Sequence, residues 1–210
     1  MKREEKNALS RQRILDAAME EFSRRGYEGA SLNTVCAEKG ISKGSIYHYF
    51  KDKDELYLLC VEDCFNAFTA YLKEAAGSPG GPARERLRTY FDARLRFFAD
   101  YPLYLGLFAD AALRPPAALS AEIGVRRRAF DQLNIALLTA LLESAPLREG
   151  LSVETVVEDF RMYMDYFNIH YRAVFGGGAS PQDVLKKHEE RCHRQIDVLL
   201  YGVLGEHDET

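Results

Sequence analysis

The sequence predicts an all-α protein, and three features of the 210-residue chain support that fold class. Apolar residues recur at intervals of three and four along most of the chain, as they do on one face of a helix. No segment alternates convincingly between apolar and polar residues, as a half-buried strand would. Glycine and proline clusters divide the chain into segments of helical length. We therefore expect about nine helices, in an N-terminal domain of residues 1–52 and a larger domain of residues 53–210.

The composition is that of a soluble globular protein. Hydrophobic residues make up 47% of the chain and charged residues 29%, proportions that are ordinary for this class. No apolar run approaches the roughly 20 residues that a membrane span needs, and the N-terminus lacks the apolar core of a signal peptide. We expect a cytoplasmic protein with no membrane partner.

Charge is distributed unevenly along the chain. The formal net charge is −4, which argues against affinity for nucleic acid over the whole surface. Of the 28 basic and 32 acidic side chains, residues 1–55 carry 11 and 10, which leaves 17 and 22 for the remainder. Any DNA-binding surface is therefore expected in the N-terminal segment.

The N-terminal segment begins with one long predicted helix. Residues 1–9 are polar and charged, and we expect them to form a frayed arm. Ser10 has a side chain suited to capping a helix that runs from Arg11 to about Arg25. Gly26 is expected to end this helix, because glycine adopts the left-handed conformation without steric cost.

Two short helices follow, and together they form a helix-turn-helix pattern. Ser31 is placed to cap the first, which ends at Gly40, and Ser42 caps the second almost at once. Ile46 and Phe50 are four residues apart and form the expected core face of the second short helix. A tight turn containing glycine is typical of proteins that place their second helix in the major groove of DNA.

Longer helical segments occupy the rest of the chain. The first of them starts beside the helix-turn-helix, with Asp52 as its expected cap. The clearest break is the glycine- and proline-rich stretch at residues 77–82. The expected helices span residues 53–76, 83–99, 102–113, 119–144, 152–175 and 181–201.

Residues 10–57 resemble the N-terminal domain of TetR-family transcriptional regulators. The resemblance rests on the joint spacing of the helix around Ile14, the run from Gly40 to Phe50, and the segment Lys53-Asp-Glu-Leu. It covers about a quarter of the chain, and it implies a DNA-binding helix-turn-helix joined to a helical domain for effector binding and dimerisation. Beyond this stretch the chain is similar to the family only in being helical and of suitable length.

The resemblance also implies which residues meet DNA. At the matching positions these are Lys43, Gly44, Ser45, Tyr47, His48 and Tyr49 in the second short helix, Ser31, Asn33 and Thr34 at the start of the first, and Lys53, which matches a lysine that grips phosphate. The helix that begins at Lys53 is expected to transmit effector binding to the DNA-binding domain, because a rigid helix moves as a unit.

The chemistry of these side chains is consistent with that role. Serine hydroxyls suit phosphate oxygens, and Lys43 can reach phosphate or guanine. Asn33 can pair with adenine, and Tyr47 can contact a thymine methyl group or a phosphate. The alternative for Tyr47 and Tyr49 is that they pack between the small domain and the 53–76 helix.

In the larger domain the resemblance implies a pocket for a small effector, and ten residues are candidates for lining it. They are Phe65, Phe68, Phe91, Arg94, Phe98, Tyr104, Phe108, Tyr163, Phe167 and His170. Core packing is the alternative for the aromatic candidates. For Arg94 it is a surface position in which the aliphatic stem lies along apolar residues. For His170 it is a buried, hydrogen-bonded histidine.

The last two predicted helices carry long apolar stripes, which suit a dimer interface. One stripe comprises Leu185, His188, Cys192, Ile196 and Leu199, and the other comprises Val153, Val156, Phe160, Met164, Phe167, Tyr171 and Val174. Two such helices from each subunit are expected to form a four-helix bundle, the arrangement that the resemblance implies. Packing within one subunit is the alternative. A homodimer also suits a DNA reader that binds two half-sites.

Two other classes of function are open. Cys60 and Cys64 lie four residues apart on one predicted helix and, with Cys192, define an alternative in which the protein senses metal or thiol redox state. A further alternative is a helical partner-binding protein that no longer reads DNA. The sequence contains no nucleophile elbow, glycine-rich phosphate loop or convincing pair of catalytic carboxylates. We therefore expect neither an enzyme nor a bound cofactor.

The favoured interpretation is a ligand-responsive transcriptional regulator. Its homodimer is expected to bind a palindromic DNA operator as a repressor, and a small, largely apolar effector is expected to release it. In this interpretation the effector shifts the helix that begins at Lys53 and so changes the spacing of the two DNA-binding domains.

Overall fold

The computed structural model describes residues 3–75, 81–175 and 181–203, without the side chains of residues 84, 170–175, 181, 182 and 201. Within these ranges it contains nine α-helices and no β-strand, so the prediction of an all-α protein with about nine helices is confirmed. No helix of the described residues is long and apolar enough to span a bilayer. The helices are α1 (Arg3–Gly29), α2 (Leu32–Lys39), α3 (Lys43–Tyr49), α4 (Lys53–Ala75), α5 (Ala83–Asp100), α6 (Pro102–Phe108), α7 (Ser120–Glu143), α8 (Val153–Phe175) and α9 (Pro181–Val203).

The described residues pack into two compact units. The first unit comprises Met1–Phe65 and Tyr101–Arg127, and the second comprises Asn66–Asp100 and Arg128–Thr210. α4 and α7 each contribute residues to both units. These units are defined by packing alone. The boundary expected after residue 52 separates a DNA-binding domain from a domain for effector binding and dimerisation, and it stays a prediction.

α1 begins earlier than its sequence pattern indicates. The expectation of a frayed arm at residues 1–9 is wrong from Arg3 onward, because this stretch is helical. Ser10 therefore lies inside the helix, where its hydroxyl donates to a backbone carbonyl one turn earlier at 2.9 Å instead of capping a helix start. Glu4 and Glu5 occupy the first turn, where carboxylates interact favourably with the helix dipole.

Gly26 interrupts α1 near its C-terminal end. Its backbone angles are φ 66° and ψ 178°, a combination that only glycine adopts readily. The expected interruption at Gly26 is confirmed, although its ψ is extended and not left-handed helical. A Cβ atom at this position would lie 2.7 Å from Oδ1 of Asp110. Conformation and space therefore both exclude a larger residue.

The helix-turn-helix forms as predicted. Ser31 accepts a hydrogen bond from the Asn33 amide at 3.2 Å and so caps α2. Ser42 accepts one from the Ser45 amide at 3.0 Å and caps α3 in the same way. Between them Gly40 has φ 61° and ψ 35°, the left-handed conformation that ends a helix. These local signals fix where both short helices begin and where α2 ends.

One small core holds the three N-terminal helices together. Its buried side chains come from all three of them and from the residue after α3: Ile14 and Phe22 of α1, Val35 of α2, Ile46 of α3, and Phe50. Burying a side chain of this size stabilises the fold by roughly 1.5–3 kcal/mol. The core therefore fixes the orientation of α3 and leaves its opposite face in solvent.

α6 and the turn after it attach the rest of the first unit to α1. A Cβ atom at Gly106 of α6 would lie 2.1 Å from the backbone oxygen of Ser23, so the two helices approach closely. A π-helical turn, Ala109–Leu113, follows α6. Its Asp110 accepts hydrogen bonds from the Tyr27 amide at 2.8 Å and the Tyr57 hydroxyl at 2.9 Å. Asp110 thus connects the end of α1, α4 and the π-helical turn.

The second unit has its own apolar core, built from α5, α7, α8 and α9. Its buried members are Ala83, Leu87, Phe91, Leu138, Leu141, Leu142, Val156, Cys192, Ile196 and Leu200. Val153, Phe160, Met164 and Phe167 of the predicted α8 stripe also pack against it. The side chains of Tyr171 and Val174 lie outside the described residues.

The prediction that the α9 stripe forms a dimer interface is wrong for four of its five members, since each is buried inside the subunit: Leu185, His188, Cys192 and Ile196. The alternative of packing within one subunit holds for them. Periodicity shows that a helix has an apolar face, but it does not show which partner covers that face.

Candidate nucleic-acid interface and effector region

α3 presents a polar face to solvent. Lys43, Gly44, Tyr47 and His48 are exposed, and the exposed fraction of Tyr47 is 51%. The alternative in which Tyr47 packs against the 53–76 helix is therefore wrong. Aromatic and basic groups on an exposed short helix suit contacts with base edges and phosphates in a major groove.

The first turn of α3 combines Gly44 with Ser45. A Cβ atom at Gly44 would meet only the Ser42 hydroxyl, at an ordinary 3.9 Å, so packing within the subunit does not require glycine there. A small residue at an exposed position suits close approach of a DNA backbone. The half-buried Ser45 hydroxyl lies 2.7 Å from the Ser42 hydroxyl, which orients it.

Tyr49 is half-buried and connects α3 to α1. Its ring centre lies 4.8 Å from that of His48, and its hydroxyl donates to Oδ1 of Asn7 at 3.2 Å. Asn7 belongs to the stretch expected to be a frayed arm, so no sequence signal pointed to this contact. The described contacts of Tyr49 thus tie the first turns of α1 to the end of α3.

The start of α2 offers one exposed polar side chain and two partly buried ones. Asn33 is exposed, whereas Ser31 and Thr34 are half-buried. The Ser31 hydroxyl caps α2, and the Ser31 amide donates to the buried carboxylate of Glu21 at 3.1 Å. Asn33 is therefore accessible for a base contact, while Ser31 holds the start of α2 in place.

Lys53 is positioned by an aromatic ring. Its Nζ lies 4.4 Å from the centre of the Tyr27 ring, a distance at which a cation is attracted to the ring face. The Tyr27 hydroxyl donates to the Asp54 carboxylate. This hydrogen bond, together with burial, raises the pKa of Tyr27 to about 12. Lys53 therefore has a defined position at the start of α4, where the resemblance implies a phosphate contact.

Three of the effector candidates belong to the first unit. Phe65 and Phe108 are buried, with ring centres 5.6 Å apart. Tyr104 is half-buried, and its hydroxyl donates to Asp63 at 2.6 Å. These are packing contacts between helices, and a role of the three residues in effector binding stays a prediction.

The other seven candidates belong to the second unit, namely Phe68, Phe91, Arg94, Phe98, Tyr163, Phe167 and His170. Phe68 is buried, and its ring centre lies 4.7 Å from that of Phe98 and 5.2 Å from that of Phe130. Phe91 is also buried and stacks on His193 at 5.0 Å. Phe68, Phe91 and Phe98 therefore contribute to the buried interior of this unit.

Arg94 is buried, with an exposed fraction of 6%. The alternative of a surface arginine is therefore wrong. Its guanidinium carbon lies 5.3 to 5.7 Å from the centres of four aromatic rings, those of Phe68, Tyr90, Phe91 and Phe130. A cation at these distances is attracted to the ring faces, which offsets part of the cost of removing it from water.

Glu189 of α9 neutralises Arg94 of α5. The Arg94 Nε and Nη2 atoms donate to the two carboxylate oxygens at 2.5 and 2.7 Å, a bidentate geometry that is among the stronger hydrogen-bonding arrangements. Burial favours a higher pKa for Glu189. The charge and hydrogen bonds of Arg94, with a contribution from His188, outweigh burial and lower that pKa to about 2.

Further polar groups extend this ion pair into a network. The Arg94 Nη1 donates to the Tyr90 hydroxyl at 3.3 Å. His188 lies 3.4 Å from the Glu189 carboxylate and 2.9 Å from the Asn168 side-chain oxygen. Sequence reasoning missed Glu189 and Asn168. The available signal was His188, a polar residue within an otherwise apolar stripe and directly before Glu189.

The candidates on α8 lie next to this network. Tyr163 and Phe167 are half-buried, with ring centres 6.2 Å apart, and Phe167 lies 5.2 Å from the His188 ring. The side chain of His170 lies outside the described residues. Phe167 contacts His188, His188 lies beside Glu189, and Glu189 pairs with Arg94. The network therefore links two of the effector candidates, Phe167 and Arg94.

The three cysteines proposed as a sensor are buried thiols. Burial raises the pKa of Cys60 and of Cys192 to about 12, and it raises that of Cys64 as well. A raised pKa keeps the thiol protonated, whereas the thiolate is the reactive and metal-binding form. Within the described ranges, no group of three or more His, Cys, Asp and Glu side chains is arranged to hold a metal ion. The metal- or redox-sensing alternative therefore gains no support.

Comparisons with known proteins agree with the helix-turn-helix geometry. A family model for bacterial regulatory proteins of the tetR family matches residues 14–60. The negative transcriptional regulator IcaR of the biofilm operon icaADBC, from Staphylococcus epidermidis, is 27% identical over 194 residues, which are 90% of this chain and 97% of IcaR. The transcriptional regulator RutR of Escherichia coli K12 is 27% identical over 146 residues, which are 70% of this chain and 68% of RutR.

A solved structure extends the likeness beyond the matched N-terminal stretch. The TetR-like transcriptional regulator from Rhodococcus sp. RHA1 is 27% identical, with a TM-score of 0.57 over 90% of this chain and 97% of its own. The similar proteins named here are transcriptional regulators, and the family model covers α2, the turn and α3. Residues 14–60 of this chain form a DNA-binding domain of the tetR family, and the chain as a whole is similar to transcriptional regulators of that family.

Proposed function

We propose that this chain is a repressor that binds a palindromic DNA operator as a homodimer and leaves it when a small, largely apolar effector binds. The observation that carries the proposal is the exposed face of α3, where Lys43, Tyr47 and His48 are accessible on a helix held by a buried core. A relative that is a negative transcriptional regulator, IcaR, supports repression as the direction of control.

Exposed apolar side chains on α8 support a homodimer. Met162, Tyr166 and Ile169 are spaced by four and three residues, so they lie on one face of the helix. Their exposed fractions are 63%, 67% and 63%. An exposed apolar cluster marks an interaction site, whereas single exposed apolar residues are common. We place the dimer contact on this α8 stripe, because a two-fold dimer offers two copies of α3 to two half-sites.

The aromatic interior of the second unit supports a largely apolar effector. Phe68 and Phe91 lie 5.3 and 5.7 Å from the Arg94 guanidinium, and ligand sites of this kind combine apolar walls with few polar groups. Phe68 lies on α4, the helix that begins at Lys53. An effector that displaces Phe68 therefore acts on the helix that carries a predicted phosphate contact.

Selection of bound duplexes from a randomised DNA pool tests the proposal. We expect enrichment of a palindrome whose half-sites lie about one helical turn, or a multiple of it, apart. Tyr47→Ala is expected to weaken binding to the selected duplex roughly ten-fold, since a base contact is worth about 1–3 kcal/mol. Tyr101→Ala is the matched control, because Tyr101 is similarly exposed at 48% but lies outside the helix-turn-helix.

Two results would contradict the proposal. One is a pool from which no sequence is enriched. The other is a Tyr47→Ala variant whose DNA affinity and salt dependence equal those of the parent protein. Either result favours the alternative of a helical partner-binding protein that does not read DNA.

A further inference from the structure

An open groove of about 660 Å³ runs between α1 and α3 in the first unit. Four of its lining residues on α3 are ones for which the resemblance implies DNA contact: Gly44, Ser45, His48 and Tyr49. From α1 the groove is lined by Ser10 and Arg13, for which the resemblance implies no DNA contact. None of its described lining residues is acidic. The groove therefore brings a second helix to the edge of the expected DNA surface.

Arg13 supplies the groove with a positive charge that is held in place. Its Nη2 donates to the backbone carbonyl of Lys39 at 2.7 Å, near the end of α2. A carbonyl is neutral, so this hydrogen bond holds the guanidinium without cancelling its charge, and arginine has five N–H donors in all. Arg24 on the same helix differs, since the carboxylates of Glu21 and Glu38 lie 3.3 and 2.6 Å from its Nη2.

We propose that this groove binds the DNA backbone and that Arg13 contacts a phosphate beside α3. The inference rests on the proposed DNA-binding function and extends it to α1. The Ser45 hydroxyl and the His48 imidazole line the same groove as Arg13 and add hydrogen-bonding groups to it, and such a set suits phosphate oxygens. A contact of this kind positions α3 on the duplex and carries no sequence information.

The salt dependence of DNA affinity distinguishes this role from simple capping of α2 by Arg13. The logarithm of affinity falls linearly with the logarithm of salt concentration, with a slope of about −0.9 for each phosphate that the protein neutralises. Arg13→Gln keeps an amide donor for the Lys39 carbonyl but removes the charge. On the selected duplex it is expected to reduce the slope by about 0.9 per subunit, and so by about 1.8 for a dimer. Arg24→Gln removes the same charge from the same helix and is expected to leave the slope unchanged.

A second variant tests the groove without replacing Arg13. Ser10→Glu introduces a carboxylate into the groove and is expected to weaken binding at least ten-fold, because it repels a phosphate there. Leu9→Glu is its control, since Leu9 is 59% exposed and does not line the groove. Leu9→Glu makes the same charge change and is expected to have a smaller effect.

The outcomes separate this inference from the function on which it rests. A slope of Arg13→Gln equal to the parent's, in a folded protein that still binds the selected duplex, overturns the inference and leaves DNA binding intact. Equal affinities for Ser10→Glu and Leu9→Glu overturn it as well, even if Arg13→Gln fails to fold. A parent protein without salt-dependent DNA binding overturns both.

Discussion

Arg94 and Glu189 lie in an apolar core and depend on each other there. Removing both charges from water costs several kcal/mol per ion, and attraction between them offsets this only when the geometry is good. Their bidentate contact at 2.5 and 2.7 Å meets that condition. The pair joins α5 to α9, so two residues link helices that are distant in the chain.

Removing one member of this pair is expected to be more harmful than removing both. Glu189→Gln is expected to lower the free energy of unfolding by about 3–5 kcal/mol, because it leaves Arg94 buried without a counter-charge. The double variant Arg94→Met with Glu189→Leu is expected to recover most of that loss, since apolar replacement of both partners is often neutral or stabilising. Urea unfolding followed by circular dichroism measures both changes.

The neighbouring exposed Glu190 provides the control for this comparison. Glu190→Gln is expected to change stability by less than about 0.5 kcal/mol, as surface substitutions usually do. A double variant that is as unstable as Glu189→Gln would show that the ion pair itself, and not the unpaired charge, accounts for the loss.

The close contact between α1 and α6 depends on the absence of a single side chain. At Gly106 a Cβ atom would lie 2.1 Å from the Ser23 backbone oxygen, which cannot move aside as a flexible side chain can. α6 is followed by the π-helical turn whose Asp110 accepts from the Tyr27 amide. The packing of α6 on α1 therefore also positions Asp110 to accept the hydrogen bond from the Tyr27 amide, near the helix-turn-helix.

Gly106→Ala is expected to destabilise the protein by about 1–3 kcal/mol, because α6 has to move away from α1. Thermal unfolding measures this, and affinity for the selected duplex reports whether the displacement reaches α3. Gly124→Ala in α7 is the control, since nothing lies within 4 Å of its added Cβ. It is expected to stabilise the helix by up to about 1 kcal/mol. Similar stabilities for the two variants would rule out the close approach.

Across the whole molecule, apolar side chains on the last two helices are partly buried inside the subunit and partly exposed to solvent. Most of the predicted α9 stripe is buried inside the subunit, whereas Met162, Tyr166 and Ile169 of α8 are exposed. Exposed apolar side chains on one helix face gain stability when a second subunit covers them. The proposed dimer contact therefore differs from the stripes that periodicity alone selects.

Ile169→Glu is expected to convert the dimer to monomers, because it places a charge in the proposed apolar contact. Sedimentation velocity measures the change in mass, and circular dichroism verifies that the subunit is still folded. Val125→Glu is the control, since Val125 is 58% exposed on α7 and lies outside the α8 stripe. An Ile169→Glu protein that sediments as a dimer would place the contact elsewhere.

Local sequence signals were sufficient to predict the helix-turn-helix. Ser31, Gly40 and Ser42 act through hydrogen bonds and backbone angles that involve residues within one turn, so they can be recognised in the sequence. The same capping rule gave a wrong prediction at Ser10, which lies inside α1 and does not cap it. A helix start depends on whether the preceding residues are themselves helical, and those residues are ordered next to Tyr49, more than one helix away.

The rest of the candidate site depends on contacts between residues that are far apart in the sequence. Arg94 and Glu189 are separated by 95 positions, and Arg13 and Lys39 by 26. Periodicity identified the apolar faces of α8 and α9 but not their partners, because burial is a property of the assembled helices and not of any one of them. The helix-turn-helix and its exposed residues were therefore predictable from the sequence. The buried ion-pair network and the groove beside α3 arise only where separate helices pack together.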